Sequence, residues 1–389
     1  MHINGVNLGN WLVLEKWMSP VVFAGVDAED ETWLVRKLSK EVLAERMRAH
    51  RETYITERDF AEIAGHGMNT VRIPVPYFIF GDREPFIGCI EYLDKAFNWA
   101  ERYHLQILID LHTAPGSQNG FDNGGLSGVC KWSQMPEEVE FELSVLERLS
   151  QRYSDRRALF GIEVINEPVS EELWKLADIP NRYKAADPKE AEGSKWNSQE
   201  FIRSYYLEAY KRIRQYLSEE KVIVFHDAFQ PMAWKDFFIE NQFVNVMLDT
   251  HMYLMVAEGM GCKKTPEAYV EFIQQNWEKM IEEIQKDIPV ICGEWCLYNV
   301  LTFVSNGEDE LFDVAGNGGS KEKISDQEKK EIYQKLAAAQ LKAWKKGSGY
   351  FYWSYKLLLD TVNTPGWIGW DAWDLGKCWS MGWFPEEVL

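Results

Sequence analysis

The feature that most constrains this chain is an alternation. Eight short runs rich in apolar and β-branched residues recur along it, and helical stretches separate most of them. The runs fall at 3–8, 69–74, 106–111, 161–165, 221–225, 244–249, 290–295 and 349–353. Between them, 40–52, 91–103, 137–153, 196–217, 267–286 and 325–346 carry helical period. Thr56 is a good N-cap for a further helix, with Asp59 three residues on and Gly65 and Gly67 at its end. Strands that alternate with helices predict one parallel sheet covered by helices, and eight of them predict a closed barrel. The expectation is α/β, a (β/α)8 TIM barrel, with 1–389 as one domain carrying loop insertions on its active-site face. No linker and no internal repeat interrupts the pattern.

Two of the runs end in a carboxylate beside a structure breaker. They are Gly161-Ile162-Glu163-Val164-Ile165-Asn166-Glu167-Pro168 and Val290-Ile291-Cys292-Gly293-Glu294-Trp295. Catalytic groups of parallel barrels sit at the C-terminal ends of strands, so Glu167 and Glu294 are expected at one mouth. Two carboxylates facing one site suit glycoside hydrolysis, one giving a proton and the other attacking or activating water. A single strand-ending Glu is usually structural; two with matching flanks make that reading weak. Arg72, in the middle of its run, requires a carboxylate partner if alternation buries it. The loop 112–123 follows the third run and is dense in polar side chains and glycines, as functional loops of barrels are.

Composition excludes some partners. The 389 residues carry 42 Lys and Arg against 61 Asp and Glu, a formal charge of −19, which argues against nucleic acid and anionic membranes. No run approaches 18 consecutive apolar residues, so no membrane span is expected. Seventeen Trp and seventeen Tyr suit a protein that stacks on flat apolar faces such as sugar rings. The six scattered cysteines have no zinc-type spacing, and Cys292 and Cys296 flank Glu294; free thiols are expected. The N-terminus has no export signal, so the expected location is cytoplasmic unless a signal has been removed. No metal and no cofactor is expected.

At Asn166-Glu167-Pro168 and Gly293-Glu294-Trp295 the chain resembles glycoside hydrolase family 5, a retaining family with the (β/α)8 fold. The segments 7–15, 110–123 and 249–253 resemble its exo-β-1,3-glucanase branch, and the likeness runs from Asn4 to about Trp353. That resemblance implies Glu167 as acid/base and Glu294 as nucleophile. It implies Arg72, His112, Asn166, His251, Tyr253 and Trp353 as the rest of the active-site set. Glu15, Asp122 and Asn123 match residues that hold the sugar in the −1 subsite, and Phe121 matches an aromatic at the entrance. The simpler alternative for His112 and His251 is that of core histidines, and for Trp353 and Phe121 plain packing.

The chain departs from that branch where Val256 takes the place of a second entrance aromatic, in the 170–195 insertion, in the Gly- and charge-rich 306–323 stretch, and in a tryptophan-rich tail read as loop. The expected function is release of glucose from a β-glucan oligosaccharide or β-glucoside by double displacement. Alternatives are a cytosolic β-glucosidase of small, glycolipid or steryl glucosides, a transglycosylase, and a non-catalytic carbohydrate-binding barrel. The last requires loss of a catalytic carboxylate, and both are present.

Overall fold

The computed structural model describes residues 2–304, 323–362 and 367–384. The 306–323 stretch lies, but for Lys323, outside the described residues. Eight strands, β1 (Ile3–Asn7), β2 (Thr70–Val75), β3 (Gln106–Leu111), β4 (Leu159–Glu163), β5 (Val222–His226), β6 (Val246–His251), β7 (Val290–Trp295) and β8 (Gly349–Tyr352), follow one another in chain order around a closed barrel. β1 pairs with β8, β2 with β3, β3 with β4, β4 with β5 and β7 with β8, all parallel. Every residue of β2, β5 and β7 is buried. Strands covered on both faces read as continuous apolar runs, which is why they stand out in the sequence.

The chain packs as two compact units. In the unit Leu8–Leu248, helices α1 (Glu31–Lys37), α2 (Lys40–Thr53), α3 (Glu57–Gly65), α4 (Ile90–Tyr103) and α5 (Pro136–Tyr153) come first. The capping box forms as expected, with the Thr56 amide donating to Asp59 Oδ2 at 2.6 Å. α4 buries Tyr92, Leu93, Ala96, Phe97 and Ala100, one stripe at helical spacing. The 170–195 insertion is three short helices, α6 (Glu171–Leu176), α7 (Ile179–Arg182) and α8 (Pro188–Ala191). α9 (Gln199–Arg214) and α10 (Lys235–Asn241) complete this unit.

The other unit comprises Met1–Asn7 and Asp249–Leu389. It holds α11 (Leu254–Gly259), α12 (Pro266–Phe272), α13 (Lys279–Ile284), α14 (Asp326–Trp344) and α15 (Leu375–Ser380). The single helix expected over 267–286 is instead α12 and α13 joined through a wider π turn at Ile273–Glu278, an extra residue that leaves the periodic pattern almost unchanged. The tail is not simply loop: Trp370–Trp373 form a 3-10 turn, and α15 starts where the Asp374 carboxylate accepts from the Lys377 amide at 2.8 Å. All six cysteines are free. Among the described residues no helix is long and apolar enough to cross a membrane.

Candidate active site

Polar groups gather at the C-terminal ends of strands in both units. In the first, Arg72 is completely buried on β2. Its Nε donates to Glu163 at 2.7 Å, and its Nη2 reaches Asp110 at 3.1 Å and the Asn166 side-chain oxygen at 2.8 Å. Strand register explains the meeting, because Asp110 of β3 and Glu163 of β4 are cross-strand partners. A buried guanidinium with two carboxylates is stable only when such charge-assisted bonds satisfy all three groups. Asp110 also accepts from His112 Nδ1 at 2.5 Å, which leaves Nε2 3.5 Å from the Asn166 amide. The Arg72 partner required by the sequence thus proves to be a pair, Asp110 and Glu163.

Asn166 and Glu167 lie just beyond the end of β4, not within it. Gln118 Nε2 donates to the backbone oxygens of both His112 and Asn166 at 2.9 Å, clamping the two loop bases together. Glu167 has φ 45°, a left-handed conformation that side chains other than Gly adopt rarely and that often marks function. Asn123 donates to its Oε2 at 2.8 Å. Asn119 in turn donates to Asn123 at 3.1 Å. Desolvation, with the charges of Asp30 and Glu167 adding to it, pushes the neighbouring Asp122 carboxyl up to about 6.

Glu15 sits in the turn after β1. Asn10, at φ 60°, accepts from the Glu15 amide at 2.9 Å, and Trp17 Nε1 donates to Glu15 Oε2 at 2.8 Å. This is the partner that a buried carboxylate between apolar residues demands. Phe121 is half-buried and pairs with Tyr183 of the insertion, ring centroids 5.1 Å apart. His226 and Asp227, which also follow a strand, serve their own turn: Ala228 donates to His226 Nδ1 at 3.0 Å and Phe229 to Asp227 at 2.7 Å.

In the second unit Glu294 belongs to β7 itself. The Tyr253 hydroxyl donates to its Oε2 at 2.6 Å, and His251 Nδ1 lies 3.5 Å from the same oxygen. Gly293 has no room for a side chain, since a Cβ there would lie 1.8 Å from Asp249 Oδ2. Its amide donates to Asp249 at 2.6 Å, and Asn7 donates to its carbonyl at 2.8 Å. The two peptide groups on either side of Gly293, just before Glu294, are therefore each held. Trp353 follows β8, buried, its amide bound to the Trp295 carbonyl at 2.8 Å. Trp373 of the tail rests on Tyr253, centroids 5.2 Å apart. Val256 is aliphatic and 48% exposed on α11.

The first unit brings together Arg72, His112, Asn166, Glu167 and Asn123; the second brings together His251, Tyr253 and Glu294. Reading the sequence missed Asp110 and Glu163 as Arg72 partners, Trp17 as the donor to Glu15, and Tyr183 and Trp373. Two of these carried a signal, for Asp110 and Glu163 are acids set within the apolar runs that follow that of Arg72 in barrel order.

Comparison with known proteins agrees with this architecture. The sequence model of the cellulase family, glycosyl hydrolase family 5, matches residues 35–374. The chain is 35% identical to a protein named probable glucan 1,3-beta-glucosidase A from Emericella nidulans, over 99% of this chain and 90% of that one. It is 31% identical to glucan 1,3-beta-glucosidase 2 from Wickerhamomyces anomalus, over 99% and 88%. Its fold is similar to that in the crystal structure of rutinosidase from Aspergillus niger, with a TM-score of 0.72 at 20% identity over 99% and 98% of the two chains.

Proposed function

We propose that this chain, which belongs to glycosyl hydrolase family 5 and is a glycoside hydrolase, acts as an exo-β-glucosidase on short β-1,3-linked glucans, with Glu294 as nucleophile and Glu167 as acid/base. The observation that supports this reading is a carboxylate just beyond β4 and another on β7, each accepting from a neutral donor, Asn123 for Glu167 and Tyr253 for Glu294; the division of labour between them follows the family resemblance.

In the first step a Glu294 oxygen bonds to the anomeric carbon while the bond to the leaving oxygen breaks, and Glu167 gives that oxygen its proton. In the second, water attacks the anomeric carbon, Glu167 takes the water's proton, and the Glu294 ester opens. Two inversions leave the product in the β configuration. Asn166, oriented by Arg72, is set to hydrogen-bond the sugar 2-OH, a contact that strengthens toward the oxocarbenium-like transition state. Glu15, held by Trp17, offers a carboxylate to sugar hydroxyls in the −1 subsite. Trp353 supplies an aromatic face for the same sugar.

The experiment is to follow the anomer of glucose released from laminaribiose and from an aryl β-glucoside by NMR, with Glu294→Gln as control. Initial β-glucose that disappears in the variant supports the reading. Initial α-glucose overturns the nucleophile assignment. Turnover of the aryl glucoside alone moves the substrate to small or lipid-linked glucosides, a second reading favoured by the aliphatic Val256.

A further inference from the structure

We infer that the 170–195 insertion builds the leaving-group side of this site, and that Tyr183 selects the aglycone by presenting its ring face beside Phe121. The inference rests on the roles proposed for Glu167 and Glu294.

The insertion is moored on α1 and on the loop that follows β3. Arg36 grips Glu190 through two bonds of 2.7 and 2.8 Å. The Lys195 amide donates to the Cys130 carbonyl at 3.0 Å, and the Cys130 amide donates to Ser194 Oγ at 3.0 Å. Gln134 Nε2 donates to the Gly193 carbonyl at 3.1 Å. Gly128, at φ 74°, lets the backbones touch: a Cβ there would lie 2.2 Å from the Ala185 amide nitrogen. Beneath, Trp174 and Ile179 form a buried cluster with Cys130 and Val169, and both Phe121 and Tyr183 pack against it. Short helices without such ties would fray; here residues 190–195 carry the polar ties and α6 and α7 rest on the apolar floor.

Tyr183 is the residue this mooring delivers. Its ring meets Phe121 at 44° and is partly exposed, and that exposed part is the surface assigned to the ligand. Its hydroxyl lies within the field of Asp122, Glu167 and Glu15; desolvation first, then those charges, push the phenol up, so it remains a neutral donor. A run of hydrogen bonds connects the Phe121 backbone to the acid/base. Asn119 accepts from the Phe121 amide at 2.9 Å and donates to Asn123, which donates to Glu167. In a retaining hydrolase the leaving group departs on the side of the acid/base, because that carboxyl protonates the departing oxygen. An aromatic pair coupled to Glu167 therefore faces the aglycone, and the ligand class it suits is a β-glucoside whose aglycone has a flat apolar face.

The test compares p-nitrophenyl β-glucoside, which has such a ring, with β-glucosyl fluoride, which has none, for the wild type, Tyr183→Ala and Tyr183→Phe. The readout is the ratio of kcat/KM on the two substrates. In Tyr183→Ala that ratio should fall about ten-fold through KM, the scale of one lost ring contact, and Tyr183→Phe should restore most of it. An alanine variant with the wild-type ratio overturns the inference, as does a phenylalanine variant as impaired as alanine. Failure of the wild type to release β-glucose from the fluoride would instead sink the underlying assignment of Glu294.

Discussion

The Tyr253 hydroxyl donates to Oε2 of Glu294 at 2.6 Å, and the Tyr253 ring is itself braced by Trp373. A bond to a carboxylate this short is charge-assisted and holds the Glu294 side chain in one orientation. Tyr253→Phe keeps the ring on Trp373 and removes only the donor. Loss of one positioned donor in a site of this kind costs roughly 10²-fold in kcat. The expected outcome is a fall of about that size in both kcat and kcat/KM on an aryl glucoside, with an unfolding midpoint close to the wild type. A variant that loses only KM would place Tyr253 in substrate binding.

Azide separates the two glutamates. With Glu167→Ala, a substrate with a good leaving group still glycosylates Glu294, and azide then attacks the intermediate without needing a base. The product should be β-glucosyl azide. With Glu294→Ala, azide occupies the place of the lost carboxylate and attacks directly, giving α-glucosyl azide from β-glucosyl fluoride. NMR of the two products checks the assignment, and the opposite pairing would exchange the roles of Glu167 and Glu294.

The barrel was legible because its strands are covered on both faces. Residues 106–111 were read with the same limits as β3, and 290–295 with those of β7. The end of β4 was not, because Val164 and Ile165 continue the apolar run although ladder pairing with β5 stops at Glu163. The need of Arg72 for a carboxylate followed from burial, but Asp110 and Glu163 could be named only once the β3–β4 register put them side by side. Tyr183 left no signal at all. It lies in a mixed-charge stretch whose position depends on distant groups such as Arg36 and Gly128. The tryptophan-rich tail was read as loop, and its Trp373 packs against a residue bonded to Glu294.

Arg72 should prove as important to folding as to catalysis. Asp110 and Glu163 are fully buried, and Arg72 is bonded to both. Arg72→Met keeps the apolar stem and strips the charge. Breaking a buried pair from one side leaves uncompensated carboxylates and costs about 3–5 kcal/mol. Urea unfolding should show a loss of that order, together with loss of activity as Asn166 is freed. A loss below about 1 kcal/mol would mean that the carboxylates find other partners or take up protons.

Glu31 gives the fold a pH dependence of its own. It opens α1 almost completely buried, accepts from the Leu14 amide at 3.0 Å, and lies 3.9 Å from Arg51. Desolvation outweighs both attractions and raises its pKa from 4.5 to about 7. The folded chain therefore holds this proton more tightly than the unfolded chain. The associated stability is fully present below the unfolded value and is lost as pH rises through about 7, a swing on the order of 3 kcal/mol. Glu31→Gln keeps an acceptor for Leu14 and has no proton to lose. Urea midpoints at pH 5, 6, 7 and 8 should show the variant gaining on the wild type as pH rises, with most of the gain complete by pH 8. Parallel profiles would mean that Arg51 holds Glu31 ionised in the fold throughout this range.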